Sequence, residues 1–324
     1  MRRPALMAAF VVATLLCATT VSAFAQVYPS RPIRIIVPTP AGGPVDVIAR
    51  LLGNSLPPML GQPVIVENRP GAGNTIGSRF VAAADPDGYT LLVSAASGLI
   101  MSPMIYHNAG YDAASFTAVA LIAETPQLVV VNPALPVKNV AELVAYAKAH
   151  PGKLNYSTGG AGTLPHLTAE LFKQLAGIDI VHVPYKGGGP SLTAVVAGET
   201  QLTFDTIATS IQMAQAGKLR ILAVVGPYRI AELPDVPAMP EAGFPSLTTG
   251  SWTALLAPRG TPSAIVAYLN EAVNGALAIE PMKGTLAKLG AQPRGGLPDV
   301  LADHMAVEQK KWRPIVAELN LKAD

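Results

Sequence analysis

The chain has 324 residues, with 23 Lys+Arg against 21 Asp+Glu, 50 % hydrophobic residues and only 14 % charged ones. That near-neutral balance, without a run of like charge, excludes a nucleic-acid or membrane-surface binder built on a basic face. The single cysteine, Cys17, excludes a disulfide framework and leaves no paired thiol for redox or metal chemistry.

The first 25 residues read as an address. Arg2 and Arg3 are followed by an apolar run from Ala5 to about Val21, and then by Ala23-Phe24-Ala25, an A-x-A cleavage site. The apolar run is too short and poorly flanked for a membrane span. Export with cleavage after Ala25 is expected, which also removes Cys17. Two of the 23 basic residues leave with the leader, so the exported chain balances 21 basic against 21 acidic side chains. Roughly 300 residues remain, enough for two domains.

From there short apolar runs alternate with helical patterns. Strands are expected at 33–37 (IRIIV), 64–67, 90–94, 127–131 (QLVVV), 154–157, 180–184, 202–205, 220–225 and 252–257. Helices are expected to start near Pro44, Asn74, Asn139, Leu164, Pro190, Ala208, Thr261 and Leu297. With 29 glycines and 30 prolines the chain turns often and tightly. The order is that of an α/β fold with mainly parallel sheets flanked by helices, whose ligands bind beyond the carboxyl ends of the strands. Two stretches look like crossings between lobes, Glu124-Thr125-Pro126 and Leu247-Thr248-Thr249-Gly250. The expected organisation is therefore 26–126 with 251–324 as lobe one and 127–250 as lobe two, the C-terminal helices returning to cover the first lobe.

One segment carries most of the functional information. After IRIIV the chain breaks into Pro38-Thr39-Pro40-Ala41-Gly42-Gly43, and Pro44 opens a helix. Proline suits a first helical turn because its missing N–H would be unpaired there. Glycines let backbone amides approach a ligand unobstructed. Free amides at the positive end of a helix dipole make an anion site. No lysine or arginine lies between Pro38 and Val47, so the anion would be held by backbone dipoles.

The pattern recurs. Thr158-Gly159-Gly160-Ala161-Gly162-Thr163 follows a strand and precedes Leu164-Pro165-His166, with Thr163 placed to cap the helix. A third version, Tyr185-Lys186-Gly187-Gly188-Gly189-Pro190, follows IVHVP. Such turns in both lobes point to a cleft whose walls each offer a helix N-terminus, worth about 0.3–1 kcal/mol apiece to an anion. The candidate ligand-binding residues are Thr39, Pro40, Ala41, Gly42, Gly43 and Asp46, with Ser94 and Ser97 at the next strand end. On the other wall they are Thr158, Gly159, Gly160, Gly162, Thr163 and His166, with Asp205 and Thr206 closing LTFD. Asp46 sits where a carboxylate complements the dipole, and the role of cap for its own turn is favoured over ligand contact. Lys186 is placed in solvent.

Read in order, YPSRPIRIIVPTPAGGPVDVIARLL, VIVENRPGAGNTIGSRFVAAADPDGYTLLV, GKLNYSTGGAGTLPHLTAELFK, HVPYKGGGPSLTAVVAGE and LPDVPAMPEAGFP resemble the Bug/TctC family of periplasmic receptors of tripartite tricarboxylate transporters. The resemblance covers nearly the whole exported chain. It implies a two-lobed, Venus-flytrap periplasmic binding protein without catalytic residues, metal or cofactor. It also implies a small carboxylate ligand, an organic di- or tricarboxylate or an acidic amino acid, held between the two glycine loops. Membrane transporter subunits would be the partners, and a monomer in the periplasm is expected. Three departures stand out: Thr39 where the family has phenylalanine, Val45 where it has a hydroxyl residue, and Ser102-Pro103-Met104-Ile105-Tyr106 near the usual N-P-x-[LM]-Y.

Other readings are weaker. A sensor that presents its closed form to a membrane signalling partner has the same sequence signature. A secreted hydrolase using His166, Asp205 and a serine lacks any G-x-S-x-G elbow. Gly71-Ala72-Gly73-Asn74-Thr75-Ile76-Gly77 resembles a dinucleotide fingerprint but has the wrong spacing. His166 and Glu170, at i and i+4, could share a metal only with further ligands that no zinc-like spacing supplies.

Overall fold

The computed structural model describes residues 28–322, so the expected leader and its cleavage site lie outside the described residues. The strands are β1 (Ile33–Val37), β2 (Val64–Asn68), β3 (Thr90–Ala95), β4 (Phe116–Val131), β5 (Asn155–Thr158), β6 (Val181–Pro184), β7 (Leu202–Thr206), β8 (Arg220–Val225), β9 (Gly250–Pro258) and β10 (Gln292–Pro293). The helices are α1 (Pro44–Ser55), α2 (Pro57–Leu60), α3 (Thr75–Ala82), α4 (Ser102–Ile105), α5 (Val140–Ala149) and α6 (Leu164–Ala176). They continue with α7 (Gly188–Ala197), α8 (Ile207–Gln215), α9 (Ser263–Leu277), α10 (Met282–Lys288) and α11 (Pro298–Glu318). Nearly every expected element is present within a few residues of its expected bounds. The structure adds α2, α4, α10, β10 and the first eleven residues of β4, which the sequence patterns do not mark.

Two sheets share β4, a strand of 16 residues. Its first part pairs with β9 as far as Pro126↔Gly250, and with β10 at Glu124↔Gln292. From Gln127 onward its neighbours are β7 and β8. The run QLVVV is thus the last five residues of one strand that passes from one sheet to the other without a break. Pro126 stands where the partner changes, the place in a ladder where a missing N–H costs least. Gly250 is required opposite it, since a Cβ there would lie 2.9 Å from the Thr125 carbonyl oxygen.

Strand direction decides what faces what. β3 is antiparallel to β9, and β9 to β4, so β3 and its parallel neighbours β1 and β2 run toward the crossing. β7 is antiparallel to β4, and β5 and β6 are parallel to β7, so these run toward the crossing from the other side. The carboxyl ends of the loop-bearing strands in the two sheets therefore confront each other. Those strands are parallel, as expected, while antiparallel pairing enters through β4, β8, β9 and β10, the strands at and beside the crossing.

Both faces of the central strands are buried, which is why they read as unbroken apolar runs. Leu128 and Val130 pack with Leu192, Val195 and Ile207, whereas Val129 and Val131 face the large core of Phe172, Phe204, Trp252 and Trp312. Under the first sheet, Ile33, Ile35 and Val37 meet Leu269, Val273 and Ala276 of α9 and Met282 and Leu286 of α10. Thus α9 and α10 cover the first sheet, where each fully buried aliphatic side chain contributes roughly 1.5–3 kcal/mol, while Leu301, Met305, Trp312 and Ile315 of α11 belong to the large core.

Candidate ligand-binding site

The loop between β1 and α1 is held from behind. Asp46 is 2 % exposed. Its Oδ2 accepts the Gly42 amide at 2.8 Å and Arg50 Nε at 3.0 Å, and its Oδ1 accepts Asn68 Nδ2 at 2.7 Å. The same Asn68 amide reaches the Thr39 carbonyl at 3.1 Å. Burial alone would raise the Asp46 carboxyl, but the hydrogen bonds from Arg50, Gly42 and Asn68 and the charge of Arg50 outweigh it and hold it below the usual carboxylate range. Asp46 caps its own turn. Its carboxylate is committed to the loop, with two donors on Oδ2 and one on Oδ1, and it is buried.

The second loop repeats this architecture with different chemistry. Gly42 and Gly162 both lie in the left-handed region, at φ 86° and 75°. Each precedes the residue that starts its helix, Gly43 or Thr163, and each gives its amide to the side chain of the third helical residue. In lobe two that acceptor is His166 Nδ1, 3.0 Å from the Gly162 nitrogen. Neither Gly43 nor Thr163 places a side-chain oxygen on its helix. Thr163 was expected to cap α6 and does not: its hydroxyl donates to the Gly160 carbonyl at 2.7 Å. The first intrahelical bonds are those of Val47 to Gly43 and Leu167 to Thr163. Among the described residues, the amides of Val45, Asp46, Leu164 and His166 have no protein acceptor. By contrast α5, which starts beyond the far end of β4, is closed by Asn139 accepting the Glu142 amide at 2.8 Å.

The glycine-rich turn before α7 supports the second loop from behind. Tyr185 donates its amide to the Thr158 carbonyl at 2.9 Å, and Gly187 its amide to Gly159 at 3.1 Å. Gly159 must be glycine, since a Cβ would come within 3.0 Å of the Gly187–Gly188 backbone. Beneath lies an aromatic stack: His166 on His182 with centroids 4.0 Å apart, and His182 on Tyr156 at 5.0 Å. His182 Nε2 is 2.7 Å from the Thr158 hydroxyl, and Tyr156 donates to Glu170, which also pairs with Lys173 at 2.9 Å. Burial, then the neighbouring His166, pushes His182 down to about 4, and burial likewise lowers His166. Both rings are neutral at pH 7.

The remaining candidates divide. Ser94 is buried at the end of β3 against Gly98, while Ser97 is exposed on the π-helical turn Ser97–Met101. Thr158 is buried, with its hydroxyl used inside the loop by Gly160 and His182. Asp205 Oδ2 accepts the Thr209 and Ser210 hydroxyls, both at 2.6 Å, and Thr206 bonds Thr209 at 2.9 Å, so the pair organises the start of α8. Pro40, Ala41 and Gly42 are exposed, Gly160 and Gly162 half-buried. Lys186 is exposed, as expected.

Two features escaped sequence reasoning. The Thr39 hydroxyl is buried with no partner. The Gly71–Gly77 run, which mimics a dinucleotide fingerprint, serves the first loop: a Cβ on Gly77 would lie 2.9 Å from Pro38 Cα, and the Gly73 carbonyl accepts Ser102 Oγ at 2.5 Å. His166 and Asp205 are each engaged in their own loops and share no hydrogen bond, which leaves a triad without foundation. Among the described residues no three His, Cys, Asp or Glu side chains are grouped to hold a metal.

Residues 48–321 match the family described as the Tripartite tricarboxylate transporter family receptor. The chain belongs to that receptor family. Protein BugT of Bordetella pertussis is 36 % identical over 303 residues, covering 92 % of each chain. A solved R. palustris protein with adipate is 36 % identical and covers 91 % of this chain and 99 % of its own, with a TM-score of 0.71. A TctC solute binding protein from Polaromonas, solved without ligand, is 27 % identical over 90 % of this chain and 99 % of its own, yet its TM-score is 0.84. The receptor is a two-lobed solute-binding protein and not an enzyme, and its solved relatives include a periplasmic transporter. Among the described residues no helix is long and apolar enough to cross a membrane.

Proposed function

We propose that this receptor captures a small dicarboxylate between the β1–α1 and β5–α6 loops in the periplasm and hands it to the membrane subunits of a tripartite transporter. The observation that carries the reading is the pair of helix N-termini without side-chain caps, in loops at strand ends that face each other across one crossing. Amides on both walls suit a ligand with a carboxylate at each end. An acidic amino acid fits less well, because its ammonium group needs a free carboxylate and that of Asp46 is buried and committed to the loop. Thr39 adds a hydroxyl without a protein partner beside the first wall.

Residues 26–126 with 251–324, and 127–250, would move as the two lobes, with ligand contacts to both walls complete only on closure. Export with cleavage after Ala25 and a monomeric receptor complete the reading. Thermal shift and calorimetry with adipate, succinate, malate, citrate, glutamate and adipamide test it. A dicarboxylate at 100 times its Kd should add about 2.7 kcal/mol of stability. Equal response to adipamide and adipate would refute the anion site.

A further inference from the structure

A cavity of about 220 Å³ lies on the face of the crossing that carries Glu124, Pro126 and Trp252, and none of the candidate cleft residues lines it. Its walls come from both sides of the crossing. Val225 ends β8 and Pro227, Tyr228 and Ile230 follow it, while Arg294 follows β10, and His304, Val307, Glu308 and Lys311 belong to α11. Proline, isoleucine, valine and aromatic side chains make much of the surface. The charged groups are already matched: Arg294 pairs with Glu124 at 2.9 Å and Lys311 with Glu308 at 2.5 Å. Glu308 also accepts the indole N–H of Trp312 at 2.8 Å, and Lys311 donates to the Thr248 carbonyl at 2.7 Å. A charged ligand would find no free counter-charge here, and burying one without a partner is costly.

One polar atom has no partner. His304 Nε2 is buried and lies 3.8 Å from Glu124 Oε1, beyond a hydrogen bond. The nearby carboxylate favours the tautomer with the proton on Nε2, a donor without an acceptor. A cavity of roughly 150 Å³ holds a benzene ring, so this one has room for a ring with one substituent.

We propose that this cavity is a second ligand site, taking one small uncharged ring compound packed against His304 and Trp252, and that its occupancy is coupled to lobe movement. The coupling follows from the walls: their separation changes when the crossing bends, so a ligand that fits one arrangement favours it, and the dicarboxylate site responds reciprocally. The site itself does not depend on the cleft reading; only the coupling does.

The test uses the exported chain, with benzamide as neutral probe and benzoate as its charged counterpart, followed by calorimetry and ligand-observed NMR. Benzamide should bind saturably. Val307→Trp, at a position already 60 % exposed, and Ile230→Phe should fill the cavity and weaken that binding about tenfold or more. His304→Ala should weaken it too. Circular dichroism melting establishes that each variant is folded, independently of carboxylate binding. Absence of benzamide binding to the wild type, or binding unchanged in folded Val307→Trp and Ile230→Phe, overturns the site. So does benzoate binding as tightly as benzamide in a manner sensitive to Val307→Trp. For the coupling, saturating benzamide should shift the Kd for adipate, and an unchanged Kd refutes it. Failure of adipate to bind at all would count against the cleft reading while leaving the benzamide result standing.

Discussion

The Gly162 amide donates to His166 Nδ1 at 3.0 Å, which fixes the imidazole as the tautomer that carries its proton on Nε2. Protonating Nδ1 would turn the acceptor into a donor facing a donor, and the loop would lose its brace. His182, stacked beneath at 4.0 Å, is held neutral with it.

A pH dependence follows. In the unfolded chain both histidines titrate near their ordinary value of about 6.5, while in the fold burial and mutual proximity push His182 to about 4 and burial lowers His166. The unfolded state therefore binds more protons between those values, and stability falls as pH drops from about 6.5 toward 4. Glu170 and Lys173 face the same stack and act in opposite directions on it. Melting temperature measured across this range should fall less steeply in His182→Gln than in the wild type. Parallel curves would exclude the stack as the source.

Asp46→Ala removes the acceptor for Gly42, Arg50 and Asn68 at once. A buried charged hydrogen-bond centre of this kind is worth about 1.5–3 kcal/mol, so urea unfolding should show a loss of that order. Affinity for the dicarboxylate should fall with it, because the first loop is no longer ordered in advance. Asn139→Ala, at the start of α5, should cost about 1 kcal/mol and leave affinity unchanged.

Thr39→Val should separate stability from binding. Removing a buried hydroxyl with no partner should stabilise the ligand-free protein by about 1–3 kcal/mol. If that hydroxyl serves the ligand, the same change should weaken carboxylate binding. A variant that is both more stable and equally tight would show that Thr39 is a packing residue only.

Gly160 stands at φ 136°, a conformation that L side chains rarely adopt, with open space at Cβ apart from contacts at 3.8 and 3.9 Å. Gly160→Ala should therefore act through backbone strain and not through a clash, costing about 1–3 kcal/mol. Its effect should appear as weaker binding together with a lowered melting temperature, and a change in neither would contradict the strained-loop account.

The sequence alone determined the α/β class, the strand–glycine–proline–helix turns and the receptor family, because each is written in local chemistry. Apolar runs mark strands buried on both faces, glycine marks a backbone that needs φ above zero, and proline marks a first helical turn. It also placed Asp46 as a cap, since a carboxylate at that position complements the dipole whatever lies around it. Tertiary structure decided the rest. The continuity of β4 through Pro126 was hidden because proline normally ends a strand, and only the change of partner at that residue makes it tolerable. Thr163 carries the sequence mark of a cap, yet its hydroxyl turns to Gly160, a choice set by how the loop folds back. The lack of partners for the Thr39 hydroxyl and His304 Nε2 depends on distances between segments far apart in the chain, which no spacing rule records. The glycine turn after β1 carries the sequence mark of an anion site by itself. That it faces the second glycine turn follows from strand direction on both sides of a single crossing, which only the tertiary structure decides.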